Sequence, residues 1–407
     1  MEVMYGTCAG MDVHKDSIVV CVRRMKGNKV DREVRTFGTM TSELIRLGDW
    51  LEDSGCTIAV IEATGVYWKP VWQLLAGRVE LVLANAHEVR NVPGRKTDMN
   101  DAMWLADLIA HGLVRASFVP PEPIADLRDL TRTRKQLSRE VVEHTQRIQK
   151  VLETCNIKLA SVASNILGKS GRAMLEAMVA GESDPVKLAG LARGTLKGKR
   201  GKLMEALRGR VRDHHRMLIS THLRLIDSLQ ASIAELEKRI EEELRPFAKA
   251  VELLQTIPGV GPTAAQTIIA EVGVDMSRFR SAGHLRSWAG LCPRMDESAG
   301  KRRSNRMRKG NAWLKTILIQ SAWSGIRKEG YLCALFHRVR ARQGKKKAIA
   351  AVAAAILTAV HGMLRDGEPY RDLGAEHFNR HDRERAASRL VRRIRDLGYE
   401  VEMRPAA

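Results

Sequence analysis

Residues 8–37, CAGMDVHKDSIVVCVRRMKGNKVDREVRTF, decide the reading of the amino-terminal fold. Three short runs within it, 8–13 (CAGMDV), 18–23 (IVVCVR) and 30–37 (VDREVRTF), are separated by HKDS and KGN, which predicts a three-stranded meander. Beyond them the periodicity changes. Thr41-Ser42-Glu43-Leu44 opens a helical pattern to about Glu52, TIAVIEA (57–63) reads as a strand, 67–75 as a helix and ELVLAN (80–85) as another strand. A last helix is expected from Thr97, whose hydroxyl can cap its first turn, to a terminating Gly112. The order βββαβαβ-α predicts a compact α/β domain of mixed sheet over residues 1–120.

The acidic residues of this domain are placed unevenly. Asp12 interrupts an apolar first strand, and Glu62 ends another apolar strand just before Ala-Thr-Gly, so both carboxylates are expected at one sheet edge. Asp98 and Asp101, three apart, share a helix face near the positive end of its dipole. First-turn acids are common on that ground alone, but an acid inside an apolar strand is costly to bury without a partner. Four such groups repel one another unless a hard cation neutralises them, and oxygen donors select Mg²⁺ or Mn²⁺. That donor set suits phosphodiester chemistry. Asp16, Glu43, Glu52 and Asp107 lack this placement and read as solvated or capping residues.

The whole chain of 407 residues has room for two or three domains, and 44% hydrophobic with 28% charged residues is the composition of a folded protein. A formal charge of +21 favours a polyanionic partner, nucleic acid first. Aromatic residues make up only 4%, so phosphate contacts rather than serial base stacking should dominate the affinity. The six cysteines are scattered, without a CxxC or zinc-ligand spacing, which fits a reducing, cytoplasmic compartment without structural zinc. No secretory signal is legible at the start, and the apolar run 348–360 falls short of the ~20 residues that span a bilayer. It reads as a buried helix, and no membrane partner is expected.

From about 121 to 248 the pattern is helical, broken around 168–171, 181–185 and 194–201. Leu130, Leu137, Val141, Ile148 and Val151 form one heptad seam, weakened by Arg134 and His144. Ile219, His222, Ile226, Leu229, Ile233, Leu236 and Ile240 form a cleaner one, stopped by Pro246. These arms can pair within one chain or dimerise it, and dimerisation is the favoured expectation. Between them KGKRGKLMEALRGRVRDHHR (197–216) is a basic stretch that suits nucleic acid, or simply a solvated face.

Residues 249–366 form a third, mainly helical region. LLQTIPGVGPTAAQTIIAEVG (253–273) resembles a helix–hairpin–helix, in which Gly259 and Gly261 let amides approach a phosphate; a tight helix–helix turn needs the same glycines. Downstream, a polar loop carries Ser298 into Lys301, Arg302, Arg303, Arg306, Arg308 and Lys309, a serine beside an anion clamp. A serine attacking phosphorus needs its proton removed and the phosphate held. On chemistry alone Ser298 is weak, and Ser304 is its equal. A basic, arginine-rich tail occupies 367–407.

Taken together, GMDVHKDSIVVCV, IEATGVYW, NAHEVRNVPGRKTDMNDAMWLADL, IPGVGPTAA and WAGLCPRMDESAGKRRSNRMRKGNAWLK resemble the insertion-sequence 110 family of transposases, the bridge-RNA-guided DEDD recombinases. The resemblance covers about 8–120 and 250–330. It implies a RuvC-like, RNase H-type domain whose acidic tetrad falls on Asp12, Glu62, Asp98 and Asp101, followed by a coiled-coil region and a helical transposase domain. It places the nucleophilic serine on Ser298 of DESAG, and implies a serine–DNA intermediate assisted by the metal-bound tetrad. It further implies element-end and target DNA and a guiding bridge RNA as partners. A homo-oligomer, dimer or tetramer, would work on a prokaryotic nucleoid, with tetrad and serine drawn from different subunits. The insertion around 168–215 departs from compact members. Rival readings are a RuvC-like, metal-dependent, structure-selective nuclease using water, and a non-catalytic nucleic-acid-binding protein.

Overall fold

The computed structural model describes residues 3–27, 29–63, 65–85, 89, 101–293, 296–298, 301–304, 306–378 and 383–402. The chain divides into two compact units, residues 1–119 and 120–407.

The first unit is built on a five-stranded sheet of order β3-β2-β1-β4-β5, with β1 Thr7–Val13, β2 Ser17–Lys26, β3 Lys29–Gly38, β4 Ile58–Glu62 and β5 Glu80–Ala84. β1, β2 and β3 form the antiparallel meander, while β4 runs parallel to both β1 and β5. Two helices, α1 Thr41–Asp53 and α2 Trp68–Leu75, intervene as expected. Strand alternation sorts the apolar side chains by face. Ala9, Met11, Val13 and Ile61 point toward Leu44, Leu47 and Leu51 of α1 and Val71 and Leu75 of α2. Cys8, Ile58 and Val60 point the other way, toward Trp104, Leu105, Leu108 and Ile109 of α3 Asp101–Ala110. The sheet is thus covered on both faces, which explains why β1 and β4 read as nearly continuous apolar runs. The cap expected at Thr97 lies outside the described residues.

Gly10 sets how closely α3 approaches β1. A Cβ there would overlap the Ala102 carbonyl oxygen and the Ala106 amide nitrogen, so the helix backbone lies directly on the strand. A charged lock holds the contact. Arg23 of β2, 3% exposed, donates to Asp107 of α3 at 2.9 Å, and Arg32 of β3 donates to both oxygens of the same carboxylate at 3.0 Å. The expectation that Asp107 is a solvated or capping residue is therefore corrected: the meander carries two guanidinium groups over the helix, and one carboxylate accepts from both, while Arg23 Nη1 stays buried without a partner.

The second unit opens with α4 Glu122–Thr154, a 33-residue helix. A small helical group follows: α5 Leu159–Val162, α6 Lys169–Val179, α7 Pro185–Gly190, a 3₁₀ turn Gly194–Lys199 and α8 Arg200–Ala206. The chain then returns along α9 Asp213–Leu244, and a 3₁₀ turn at Pro246 ends the arm. α9 packs antiparallel on α4, so the two seams are each other's partner, with Ile148 and Leu152 against Ile219, Leu223 and Ile226. Of the two arrangements the seams allow, this is the pairing within one chain, and Leu229, Ile233 and Leu236 of the second seam remain half-buried. The small group between the arms reverses the chain and brings the second seam onto the first. The seam polars also find uses: Arg134 donates to Gln266 at 2.8 Å, and His144 and His222 meet Nδ1 to Nδ1 at 3.0 Å.

Six further helices follow: α10 Ala248–Gln255, α11 Pro262–Val272, α12 Ala282–Ala289, α13 Ala312–Gly325, α14 Tyr331–Gln343 and α15 Lys345–Asp366. α15 has the length and composition of a membrane span, yet Ala348, Val352, Ala353, Ile356, Leu357 and Val360 are buried in the unit, packed with α13 and α14. The basic tail carries a helix, α16 Arg383–Arg395. Between α12 and α13, where the sequence reads as a polar loop, a two-stranded hairpin pairs β6 Asp296–Ser298 with β7 Lys301–Ser304.

Candidate active site

In the first unit the carboxylates are placed by register. β1 and β4 pair in parallel with Met11 opposite Ile61, so Asp12 and Glu62 are the next residues on adjacent strands. Alternation puts Asp12 on the face of Cys8 and Gly10, and Glu62 on the face of Ile58 and Val60, the face that α3 covers. α3 begins at Asp101, one residue before the Ala102 carbonyl that lies over Gly10. Asp12 and Glu62 therefore share one face and one end of the sheet, and Asp101 lies in the first turn of the helix that covers that face. Asp98 lies outside the described residues.

The surroundings of these groups differ. Glu62 is only 7% exposed, at the end of a strand whose other residues are all buried. The Asp12 carboxylate is 17% exposed and lies 3.2 Å from Nε2 of the exposed His14. Among the described residues no three His, Cys, Asp or Glu side chains close into a metal-binding group. The all-oxygen, largely buried donor set is nonetheless of the type that hard divalent cations take.

In the second unit the serine segment is a hairpin held at its base. Ser298 pairs with Lys301 across the two-residue tip, Glu297 with Arg302 and Asp296 with Ser304. Pro293 bridges Met307, and the Arg308 amide donates to the Cys292 carbonyl at 3.2 Å. Below this the strands cross at two glycines: a Cβ on Gly310 would collide with the Ala289–Gly290 backbone, and Gly290 itself has φ +73. Such a left-handed, crowded crossing favours glycine. Ser304, chemically the equal of Ser298 in the sequence, accepts a hydrogen bond from the Arg306 amide at 3.2 Å and serves the turn. Arg306, Arg308 and Lys309 are exposed, while β7 carries Arg302 and Arg303. Burial pushes the Lys315 amine below its ordinary pKa, and that amine donates to the Arg308 carbonyl at 2.9 Å.

The two glycines of PGVG part company. Gly259, at φ +86, lies where a Cβ would collide with Ser321 and Gly325 of α13, so the helix–helix contact requires it. Gly261 has open space beside it and precedes Pro262 at the start of α11.

Sequence reasoning missed a buried ion network under the hairpin. Glu271 of α11, 0% exposed, receives Nε and Nη2 of Arg132 at 2.7 and 2.8 Å, and Arg128 lies 3.4 Å away. Arg128 also donates to the Glu271 carbonyl at 2.6 Å. Asn311 joins them: its Nδ2 donates to Glu271 at 2.5 Å while its Oδ1 accepts from the Leu314 amide and caps α13. The only signal in the sequence was an acid on the apolar helix TAAQTIIAEV, the same kind of anomaly that marked Asp12.

A family model of the IS110 DEDD group, described as a transposase, matches residues 9–157, and another, "Transposase IS116/IS110/IS902 family", matches 251–338. A probable family 20 transposase of Pseudomonas aeruginosa is 25% identical over 332 residues, 78% of this chain and 80% of that protein. The mini-circle putative transposase for IS117 of Streptomyces coelicolor is 38% identical over 71 residues, 17% of each chain. The putative transposase y4qE of Sinorhizobium fredii is 26% identical over 231 residues, 56% of this chain and 48% of that one. With two models of this family matching 9–157 and 251–338 and a transposase aligned along 80% of its length, the chain belongs to the IS116/IS110 family of transposases, enzymes that cut and rejoin DNA.

Proposed function

We propose that the protein excises and inserts its own insertion sequence through a serine–DNA intermediate, with Asp12, Glu62, Asp98 and Asp101 holding Mg²⁺ or Mn²⁺ and Ser298 as nucleophile. The observation that carries the reading is the parallel β1–β4 register, which sets Asp12 beside Glu62 on the face where α3 begins at Asp101. A metal held there would supply positive charge to the scissile phosphate and its departing oxygen. The Ser298 hydroxyl loses its proton, an Oγ–P bond forms, and the bond from phosphorus to the leaving sugar oxygen breaks as that oxygen gains a proton. Arg302, Arg303, Arg306, Arg308 and Lys309 follow Ser298 closely and would hold the phosphate, with the open amide side of Gly261 as a further contact.

In this reading residues 1–120 form a RuvC-like, RNase H-type domain, 121–248 the arms, 249–366 the serine domain and 367–407 a basic tail that grips nucleic-acid backbones. The mixed sheet with acidic residues at the ends of adjacent parallel strands supports the first assignment. A bridge RNA chooses the DNA joined, and Ser298 of one copy works with the carboxylates of another.

The test is a trapping assay with purified protein, Mg²⁺, a DNA junction carrying the element's ends and co-purifying RNA, resolved on a denaturing gel. A protein–DNA adduct is expected, absent in Ser298→Ala; Asp12→Asn lowers cleavage by about a thousandfold. Mixing the two variants restores adduct if serine and carboxylates come from different copies. Cutting without adduct, equally fast in Ser298→Ala, would replace this reading with attack by water.

A further inference from the structure

We infer that the helical group between the arms is a second nucleic-acid docking surface, separate from the serine hairpin, that takes the phosphate backbone of duplex DNA, the polyanion a transposase must hold. Residues 155–207 are not a floppy insertion. Cys155, Ile157, Leu159, Met174, Leu175, Leu188 and Leu203 close a core continuous with the arms. Two backbone bonds tie its ends together, from the Lys158 amide to the Ala206 carbonyl at 2.7 Å and from the Arg210 amide to the Cys155 carbonyl at 2.9 Å. Gly209 makes that approach possible, because a Cβ there would overlap the Cys155 carbonyl and Ile157.

On this rigid base the charge is one-sided. Lys197, Lys199, Arg200, Lys202, Arg208 and Arg210 are all exposed, and between residues 193 and 212 Glu205 is the sole acid. Only Arg208 of the six has an ion pair among the described residues, a loose one to Glu205 at 3.8 Å. Elsewhere the surface behaves differently: Arg78, Arg172 and Arg239 each hold two carboxylates. Holding unpaired like charges together on an ordered surface costs free energy that a polyanion relieves by releasing its counterions. An open cleft of about 450 Å³ in the same group is lined by Asn156, Lys158, Lys202, Glu205, Ala206 and Arg208; Lys158 pairs with Glu153 and Arg208 loosely with Glu205, which leaves Lys202 as its uncompensated cation. Few aromatic side chains serve the surface, so its affinity is electrostatic and blind to sequence.

The experiment measures binding of the full chain to a random 30-base-pair DNA duplex and to an RNA hairpin of equal charge, at several salt concentrations. Replacing Lys199, Arg200, Lys202 and Arg208 by Ser should weaken the duplex at least about tenfold and flatten its log K against log salt by about three to four units if all four touch phosphate. Lys238, Arg239, Arg245 and Lys249→Ser removes equal charge from an acidic neighbourhood and should do much less. Acetylation of unmodified protein gives a readout free of folding effects: Lys197, Lys199 and Lys202 should be protected by the bound probe. A loss confined to the RNA hairpin, with the duplex unaffected, overturns DNA as the occupant. Unchanged protection, or equal losses in the two quadruple variants, overturns the assignment. Neither outcome depends on Ser298 or the carboxylates, so adduct formation can fail while this surface stands.

Discussion

The two candidate catalytic elements are positioned by opposite means. In the first unit, Asp12 and Glu62 are held by a hydrogen-bond ladder: once β1 and β4 pair in register, their carboxylates have no choice of face. In the second, Ser298 ends the first strand of a nine-residue antiparallel excursion, 296–304, too short to fold alone, and its position is inherited from what lies underneath. A glycine crossing and the Glu271–Arg132–Asn311 network provide that base. The difference teaches that a site built on a sheet survives loss of any one distant side chain, whereas a site on a hairpin depends on a few buried polar bonds.

The sharpest way to break this comparison is Glu271→Ala, which leaves Arg128 and Arg132 facing each other without their carboxylate. Removing one member of a buried ion pair typically costs about 3–5 kcal/mol. The variant should melt far below the parent and lose adduct formation, although Glu271 touches no proposed reacting group; an unchanged thermal midpoint would show that the network does not hold the hairpin. Gly10→Val attacks the other side. Its side chain would displace α3 from β1 at about 3 kcal/mol, an overpacking cost. Metal-dependent cleavage should vanish while salt-sensitive nucleic-acid binding by the second unit persists. Equal loss of both would deny the two units their separate roles.

The smallest effect concerns the arms. Burial, with His144 and Arg147 nearby, holds the His222 imidazole below its ordinary pKa. The folded state then binds fewer protons than the unfolded state, so stability falls as pH drops through the unfolded value of about 6.5. Protonating the facing His144–His222 pair would place like charges 3.0 Å apart between α4 and α9. Thermal midpoints recorded from pH 7.5 to 5.5 should decline, less steeply in His222→Leu. A parallel decline in both would assign the pH dependence to other groups.

Much of the first unit was legible because alternation along β1 to β5 states which face each residue takes, and an acid breaking that pattern stands out. Asp107 escaped because helix periodicity does not reveal that two arginines from β2 and β3 will arrive above it. The hairpin escaped for another reason. DESAGKRRS has little strand propensity, and its pairing is enforced by the crossing at Gly290 and Gly310. The arms showed their seams plainly but not their partners, since a heptad pattern fits a helix of the same chain as well as one of another.

By itself the sequence determined the strand order of the meander, the odd placement of Asp12 and Glu62, the two helical seams and the strong positive charge. These are local properties, written in periods of two, three and four residues. Tertiary structure alone decided that α9 returns to α4, that Gly259 serves packing against α13, that Glu271 gathers two arginines and Asn311, and that cations 197–210 share one ordered surface. Each joins residues distant in the chain, and their meeting is set by packing geometry that no local pattern records.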